Sequence, residues 1–137
     1  MSYLIDTCAL SEIVKPKANR RVIDWFEATP QEALFVSALT LGEIRKGVEG
    51  LSDGRRRTHI AAWLEVELPA WFEDRVLPVD AAVADEWGRL LARTRRTVSA
   101  VDSLIAATAL RHRLTIVTRN VSDFEFEGID SVNPWEV

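Results

Sequence analysis

The sequence predicts an α/β fold of three layers, with helices on both faces of a central, mainly parallel sheet of four to five strands. Three observations lead to it. Short apolar segments alternate with segments of helical periodicity along the whole chain, as parallel strands joined by helical crossovers do. The segment from Ser99 to His112 is apolar nearly all round, with Val101, Leu104, Ile105, Ala106, Ala107, Ala109 and Leu110, which marks a helix buried against a sheet. No repeat, low-complexity stretch or long linker divides the 137 residues, a length that fits one domain, residues 1–137, with a core of its own.

The elements follow in order. Tyr3-Leu4-Ile5 is a short strand, and Asp6-Thr7 starts a helix through Val14 that Pro16 ends. Arg20 to Ala28 is a helix carrying Val22, Trp25 and Phe26, broken by Thr29-Pro30. Leu34-Phe35-Val36 is the second strand, after which Thr40 opens a helix to Val48 with Gly50 as its stop. Beyond the turn Ser52-Asp53-Gly54, one long helix is expected from Arg55 to Phe72, because Ile60, Trp63, Leu64, Leu68 and Trp71 share a face. Val76 to Val79 is a strand that Pro78 assigns to a sheet edge. Asp80 caps a helix whose apolar face holds Ala84, Trp87 and Leu91. Thr115 to Thr118 is the fourth strand and Ile129 to Val132 a candidate fifth. Trp25, Trp63, Trp71 and Trp87 lie on apolar faces and are expected in the core or at a subunit interface.

Composition narrows the function. Hydrophobic residues make up 47% and charged residues 28%, as in an ordinary globular protein. No apolar run approaches the roughly 18 residues of a membrane span. The first residues lead directly into a strand, with no basic segment or cleavage site of a signal peptide. A single cysteine, Cys8, makes no internal disulfide, so a cytoplasmic location is expected. The net charge of −4 argues against coating nucleic acid by bulk charge. The basic residues nevertheless cluster, at Arg20-Arg21, Arg45-Lys46, Arg55-Arg56-Arg57, and Arg93 with Arg95-Arg96. Arginine forks suit phosphate oxygens, although a solvated helix end accounts for any single cluster.

Chemistry is concentrated in four acids, Asp6, Glu43, Asp102 and Asp123, each where a strand ends or a helix begins. In an open α/β sheet those ends converge on one crevice. Taken singly, each acid has a structural explanation. Thr40 with Glu43 fits a capping box, Ser99 with Asp102 imitates one, Asn120 with Asp123 fits a cap with a first-turn acid, and Asp6 can cap the first helix. Taken together, they would repel one another without a cation between them. An all-oxygen donor set suits Mg²⁺ or Mn²⁺ rather than zinc, and neither His59 nor His112 has a partner at zinc-ligand spacing.

Four segments then resemble the motif blocks of PIN-domain ribonucleases: Leu4-Ile5-Asp6-Thr7, Ser37 to Ile44, Val101 to Ala109, and Thr118 to Phe124. The sequence is most similar to toxins of the VapC type, and within them to the FitB-like group. Leu10-Ser11-Glu12, Gly42 to Gly47 and Asn133-Pro134-Trp135 add to the likeness, which spans essentially the whole chain. One departure is Cys8, where the family usually has Asn.

The resemblance implies a PIN-like domain that hydrolyses RNA as a metal-dependent endoribonuclease. Asp6, Glu43, Asp102 and Asp123 would be the catalytic residues and would hold one or two Mg²⁺ or Mn²⁺ ions, with Asp6 and Asp102 as direct ligands and Asp123 the most peripheral. Thr7, Thr118 and Asn120 would bond the carboxylates or a substrate phosphate. The product would carry a 5′-phosphate and a 3′-hydroxyl. The implied partners are an RNA substrate, a second copy in a homodimer, and a cognate antitoxin whose C-terminal segment fills the groove near the acids. Other phosphohydrolases on similar sheets fit less well, because Asp6 is followed by Thr7-Cys8 rather than by another acid, and no phosphate-binding glycine loop is present. The alternative of another class is a non-catalytic PIN module that binds RNA or a partner protein.

Overall fold

The computed structural model describes residues 1–137. Five strands, β1 (Tyr3–Ile5), β2 (Leu34–Ser37), β3 (Val76–Leu77), β4 (Thr115–Val117) and β5 (Ser131–Val132), form one sheet of order β3-β2-β1-β4-β5. Every pairing is parallel, with Leu4 opposite Phe35 on one side and Ile116 on the other. β3 lies at an edge, as Pro78 requires. The helices are α1 (Thr7–Glu12), α2 (Arg20–Ala28), α3 (Ala38–Glu49), α4 (Arg55–Ala62), α5 (Leu68–Phe72), α6 (Ala81–Arg93) and α7 (Ala100–His112).

The two faces of the sheet bury separate cores, because successive strand residues point to opposite sides. Ile5, Leu34, Val36 and Val117 join Trp63, Leu64, Leu68 and Phe72 on one face. Leu4 and Ile116 join Leu90, Ile105, Ala106 and Ala109 from α6 and α7 on the other. The alanines of α7 let its backbone approach the sheet closely, and Trp87 ties α6 to α7 by donating its indole N–H to Ser103 Oγ at 2.9 Å. Tyr3, Trp25, Phe26, Trp71 and Phe72 run as a chain of edge-on and tilted rings across the first face, so these tryptophans are packing residues.

Three local expectations are corrected. The helix expected from 55 to 72 is interrupted by a π turn over Trp63–Glu67, where the Leu68 N–H bonds back to Trp63 O. Pro69 has no N–H for the Glu65 carbonyl and its ring crowds that turn, so a wider turn absorbs the misfit. The burial of Trp63, Leu64 and Leu68 is kept. The first helix stops at Glu12 rather than Val14. Thr40 does not cap α3. Ser37, the last residue of β2, does so by accepting the Leu39 N–H at 3.1 Å, which leaves Thr40 inside the helix, fully buried and with its hydroxyl unbonded.

Glu12 fixes the connection between α1 and α2. Its side chain is buried, accepts the Asn19 backbone N–H at 2.9 Å, and pairs with Lys15 at 3.0 Å. Burial pushes its carboxyl up, but the Asn19 amide and Lys15 outweigh that and hold it below the usual carboxylate range. A lowered folded-state pKa gives stability that is present above the unfolded value and lost as pH falls through the folded one. Glu12→Ala is expected to cost about 2 kcal/mol at pH 7, with the gap to the native chain shrinking in acid, measured by thermal unfolding at a series of pH values.

Candidate active site

The sheet order reverses beside β1: the chain moves outward to β2 and β3, then returns to the other side of β1 at β4. The crevice beyond the carboxyl ends of β1 and β4 is therefore the switch point at which such sheets bind ligands. Asp6 follows β1 there, and its backbone N–H bonds Val117 O at 2.9 Å. Its side chain does not cap α1. Instead Oδ2 accepts the Thr118 hydroxyl at 2.9 Å and the Cys8 thiol at 3.5 Å. Thr118 is fully buried, and its oxygen also accepts the Asn120 N–H at 3.0 Å, so its one proton is left for Asp6.

Glu43 projects from α3, on the surface, and Thr7 donates its hydroxyl to Oε1 at 2.5 Å. Thr7, the first residue of α1, thus connects the helix after β1 to the helix after β2. Asp102 lies in the first turn of α7, where its N–H donates to Ser99 Oγ at 3.1 Å. Asp123 is exposed on a 3₁₀ turn over Val121–Phe124. Asn120 precedes that turn but makes no side-chain cap; it acts through its backbone, giving its N–H to Thr118 and accepting the Asp123 N–H at 3.0 Å.

The electrostatics unite the four acids. Burial pushes the Asp102 carboxyl above its ordinary range, and the negative charges of Asp123, Asp6 and Glu43 push it further. None of the six ion pairs in the molecule involves these four carboxylates. Uncompensated negative charge and oxygen-only donors fit a hard divalent cation. As they stand, no three of the side chains are gathered closely enough to hold one ion, so a cation would have to draw them inward.

Cys8 occupies a position whose contacts the sequence did not reveal. Its sulfur bonds Asp6, approaches Thr118 Oγ1 at 3.5 Å and accepts the Arg119 N–H at 3.4 Å. Burial is the main influence that pushes the thiol up, and the bond from the Arg119 N–H works against it. It remains a thiol and not a nucleophilic thiolate. His59 and His112 are both exposed. His59 lines a groove of about 550 Å³ between α1, α3 and α4. Val14, Ile44, Val48 and Trp63 give the groove an apolar lining, Lys15 and Arg55 add positive charge, and Thr7 and Glu43 bring it to the acids.

The PIN domain family matches residues 3–126. The chain is 36% identical over 136 residues to a VapC ribonuclease, Y4jK, of Sinorhizobium fredii, covering 97% of each chain. It is 35% identical over 135 residues to toxin FitB of Neisseria gonorrhoeae, covering 96% of this chain and 97% of the relative. Among solved structures, FitAcB from N. gonorrhoeae superposes with a TM-score of 0.92 at 33% identity, covering 98% of this chain and 99% of that one. A toxin–antitoxin complex from Klebsiella pneumoniae gives 0.70 at 25% identity, covering 99% and 100%.

The raised pKa of Asp102 has a consequence for stability. For an acid raised above its unfolded value, the stabilising contribution is complete below that value and is lost as pH rises through the folded one. Above the folded value the ionised carboxylate is a net cost to the metal-free fold. Asp102→Asn is therefore expected to raise the Tm of chelator-treated protein at pH 7 and to leave it unchanged near pH 3. Added Mg²⁺ or Mn²⁺ should raise the Tm of the native chain and not that of the variant.

Proposed function

We propose, for a chain that belongs to the PIN-domain family and within it to the VapC and FitB toxins, that it is the ribonuclease toxin of a toxin–antitoxin pair and hydrolyses RNA with the help of Mg²⁺ or Mn²⁺. The observation that carries this reading is the set of four carboxylates at the switch point, mutually repelling and without an internal cation. The named activities of the relatives, a ribonuclease and a toxin, point the same way.

In this reading Asp6 and Asp102 hold the cation directly. Glu43 ligates or orients the attacking water, and Asp123 completes the negative field from the periphery. A bound Mg²⁺ supplies charge neutralisation at the phosphoryl oxygens and acidifies water near neutral pH. The chain's own residues set the geometry. Thr118 fixes the rotamer of Asp6 and Thr7 that of Glu43, as the hydrogen-bond partners of metal-binding carboxylates do elsewhere. Ser99 fixes the backbone of the turn bearing Asp102. The two histidines stand on different helices, His59 on α4 and His112 at the end of α7, and in this reading they form no pair to act on a 2′-hydroxyl, so that attack by water gives a 5′-phosphate and a 3′-hydroxyl.

The partner in this reading is an antitoxin segment seated in the groove beside Glu43, whose apolar lining and neighbouring acids suit an apolar stretch carrying a basic side chain. The complex of the Klebsiella pneumoniae relative is support for such a pairing. The protein is expected to form a homodimer and to act in the cytoplasm, and no helix is long and apolar enough to cross a membrane.

Purified chain freed of antitoxin is expected to cut total cellular RNA into discrete fragments with 5′-phosphate ends. Cutting should stop with chelator and in Asp6→Asn. Thr118→Val should retain the fold and cut about 10- to 100-fold more slowly. A 2′,3′-cyclic phosphate end would exclude attack by water. Folded protein that binds RNA but never cuts it, with either metal, would make this a non-catalytic binding module.

A further inference from the structure

A second charged feature lies on chain segments that adjoin Asp102 and Asp123 in sequence and takes no part in the chemistry above. The connection between α6 and α7, residues 94–99, leads directly into Ser99 and the turn that bears Asp102. Arg93, Arg95 and Arg96 stand on it or at the end of α6, and all three are exposed. None of the three pairs with a carboxylate, a state they share with Arg55 and Arg56 of the groove beside Glu43 and not with Arg20, Arg45, Arg57 and Arg89. They line a shallow cleft of about 290 Å³ together with Glu125, Phe126 and Glu127.

Arg96 is held in place. Its Nη2 donates to the Glu125 carbonyl at 2.9 Å, and its guanidinium carbon lies 4.7 Å over the ring of the buried Phe126. That stack fastens the α6–α7 connection to the segment just after Asp123. The cleft is thus lined by the connection that leads to the Asp102 turn and by the segment that follows Asp123, and its three arginines outnumber its two glutamates. A guanidinium stacked on one face keeps N–H groups free for an anion, and its planar fork matches phosphate oxygens.

We infer that Arg93, Arg95 and Arg96 form a phosphodiester-binding subsite that holds the RNA strand on the α6–α7 side of the four carboxylates. It rests on the reading of the protein as a ribonuclease, and it explains how a chain of net charge −4 would keep a polyanion beside an acidic crevice. Unpaired arginines on the segments that lead to Asp102 and follow Asp123 provide a local attraction that bulk charge does not. The residues position substrate and touch no reacting atom.

The test is equilibrium binding of a fluorescent single-stranded RNA in chelator, where no cutting occurs, beside steady-state cleavage with Mg²⁺. Arg93→Ala/Arg95→Ala removes two side chains that make no internal hydrogen bond, so folding should be kept. Arg89→Ala, on the same helix but paired with Asp85, is the control. The double variant is expected to bind RNA about tenfold more weakly, with the salt dependence of log K reduced by about 0.7 for each arginine lost. KM should rise with kcat little changed. Arg96→Lys, which keeps the charge and loses the stack, should weaken binding less than the double variant and leave the salt slope as it is. Unchanged affinity and salt slope in the double variant, or losses equalled by Arg89→Ala, would overturn the subsite. RNA that binds through these arginines without ever being cut would sink the ribonuclease reading and leave the subsite standing.

Discussion

The hydrogen bond from Thr118 to Asp6 joins the two strands at which the sheet changes direction, and much of the site is arranged around it. A carboxylate as enclosed as Asp6 needs partners for its oxygens. Thr118 gives its only proton to Asp6 because its oxygen is already occupied by the Asn120 amide. That same amide starts the loop that ends in Asp123. Cys8 fits the remaining space between the two, touching both and also the Arg119 backbone. The geometry of the acids is thus transmitted from β4 to β1 through short contacts between neighbouring loops.

The rest of the fold keeps those loops rigid. One core seats α1, α3 and the broken helix on one face of the sheet, and the other seats α6 and α7 on the opposite face. Glu43 comes with the first group and Asp102 with the second, so each core positions one acid and the sheet sets the distance between them. The carboxylates gain nothing from one another in this arrangement. Asp102 is pushed toward its neutral form by burial first and then by its three neighbours, a local cost that packing elsewhere offsets, as is common where a site is built for a charged ligand. The surface follows the same division. The groove beside Glu43 joins an apolar lining to Lys15, Arg55 and Arg56, while the cleft between the α6–α7 connection and the segment after Asp123 is smaller and lined by three arginines. The two sides of the acidic crevice therefore differ in the chemistry they present.

Sequence alone determined the alternation of strands and helices, the burial of α7 and the edge position of β3, and it singled out four acids whose charges the fold brings to bear on one another. Periodicity, Pro78 and the Ser99 and Asp80 caps are local signals that the surrounding structure did not override. Thr7 and Thr118 were also legible, since each sits one residue from an acid or at the end of a strand that faces one. Tertiary structure decided what depends on contacts distant in sequence. It chose Ser37 over Thr40 as the cap of α3 and turned Asp6 from a cap into an acceptor for Thr118, 112 residues away. It also absorbed Pro69 in a π turn without giving up the buried face. The partners of Cys8 and the unpaired state of Arg93, Arg95 and Arg96 belong to the same class. A sequence displays which groups are present, but whether a charge is paired depends on what the folded chain brings within about 4 Å of it.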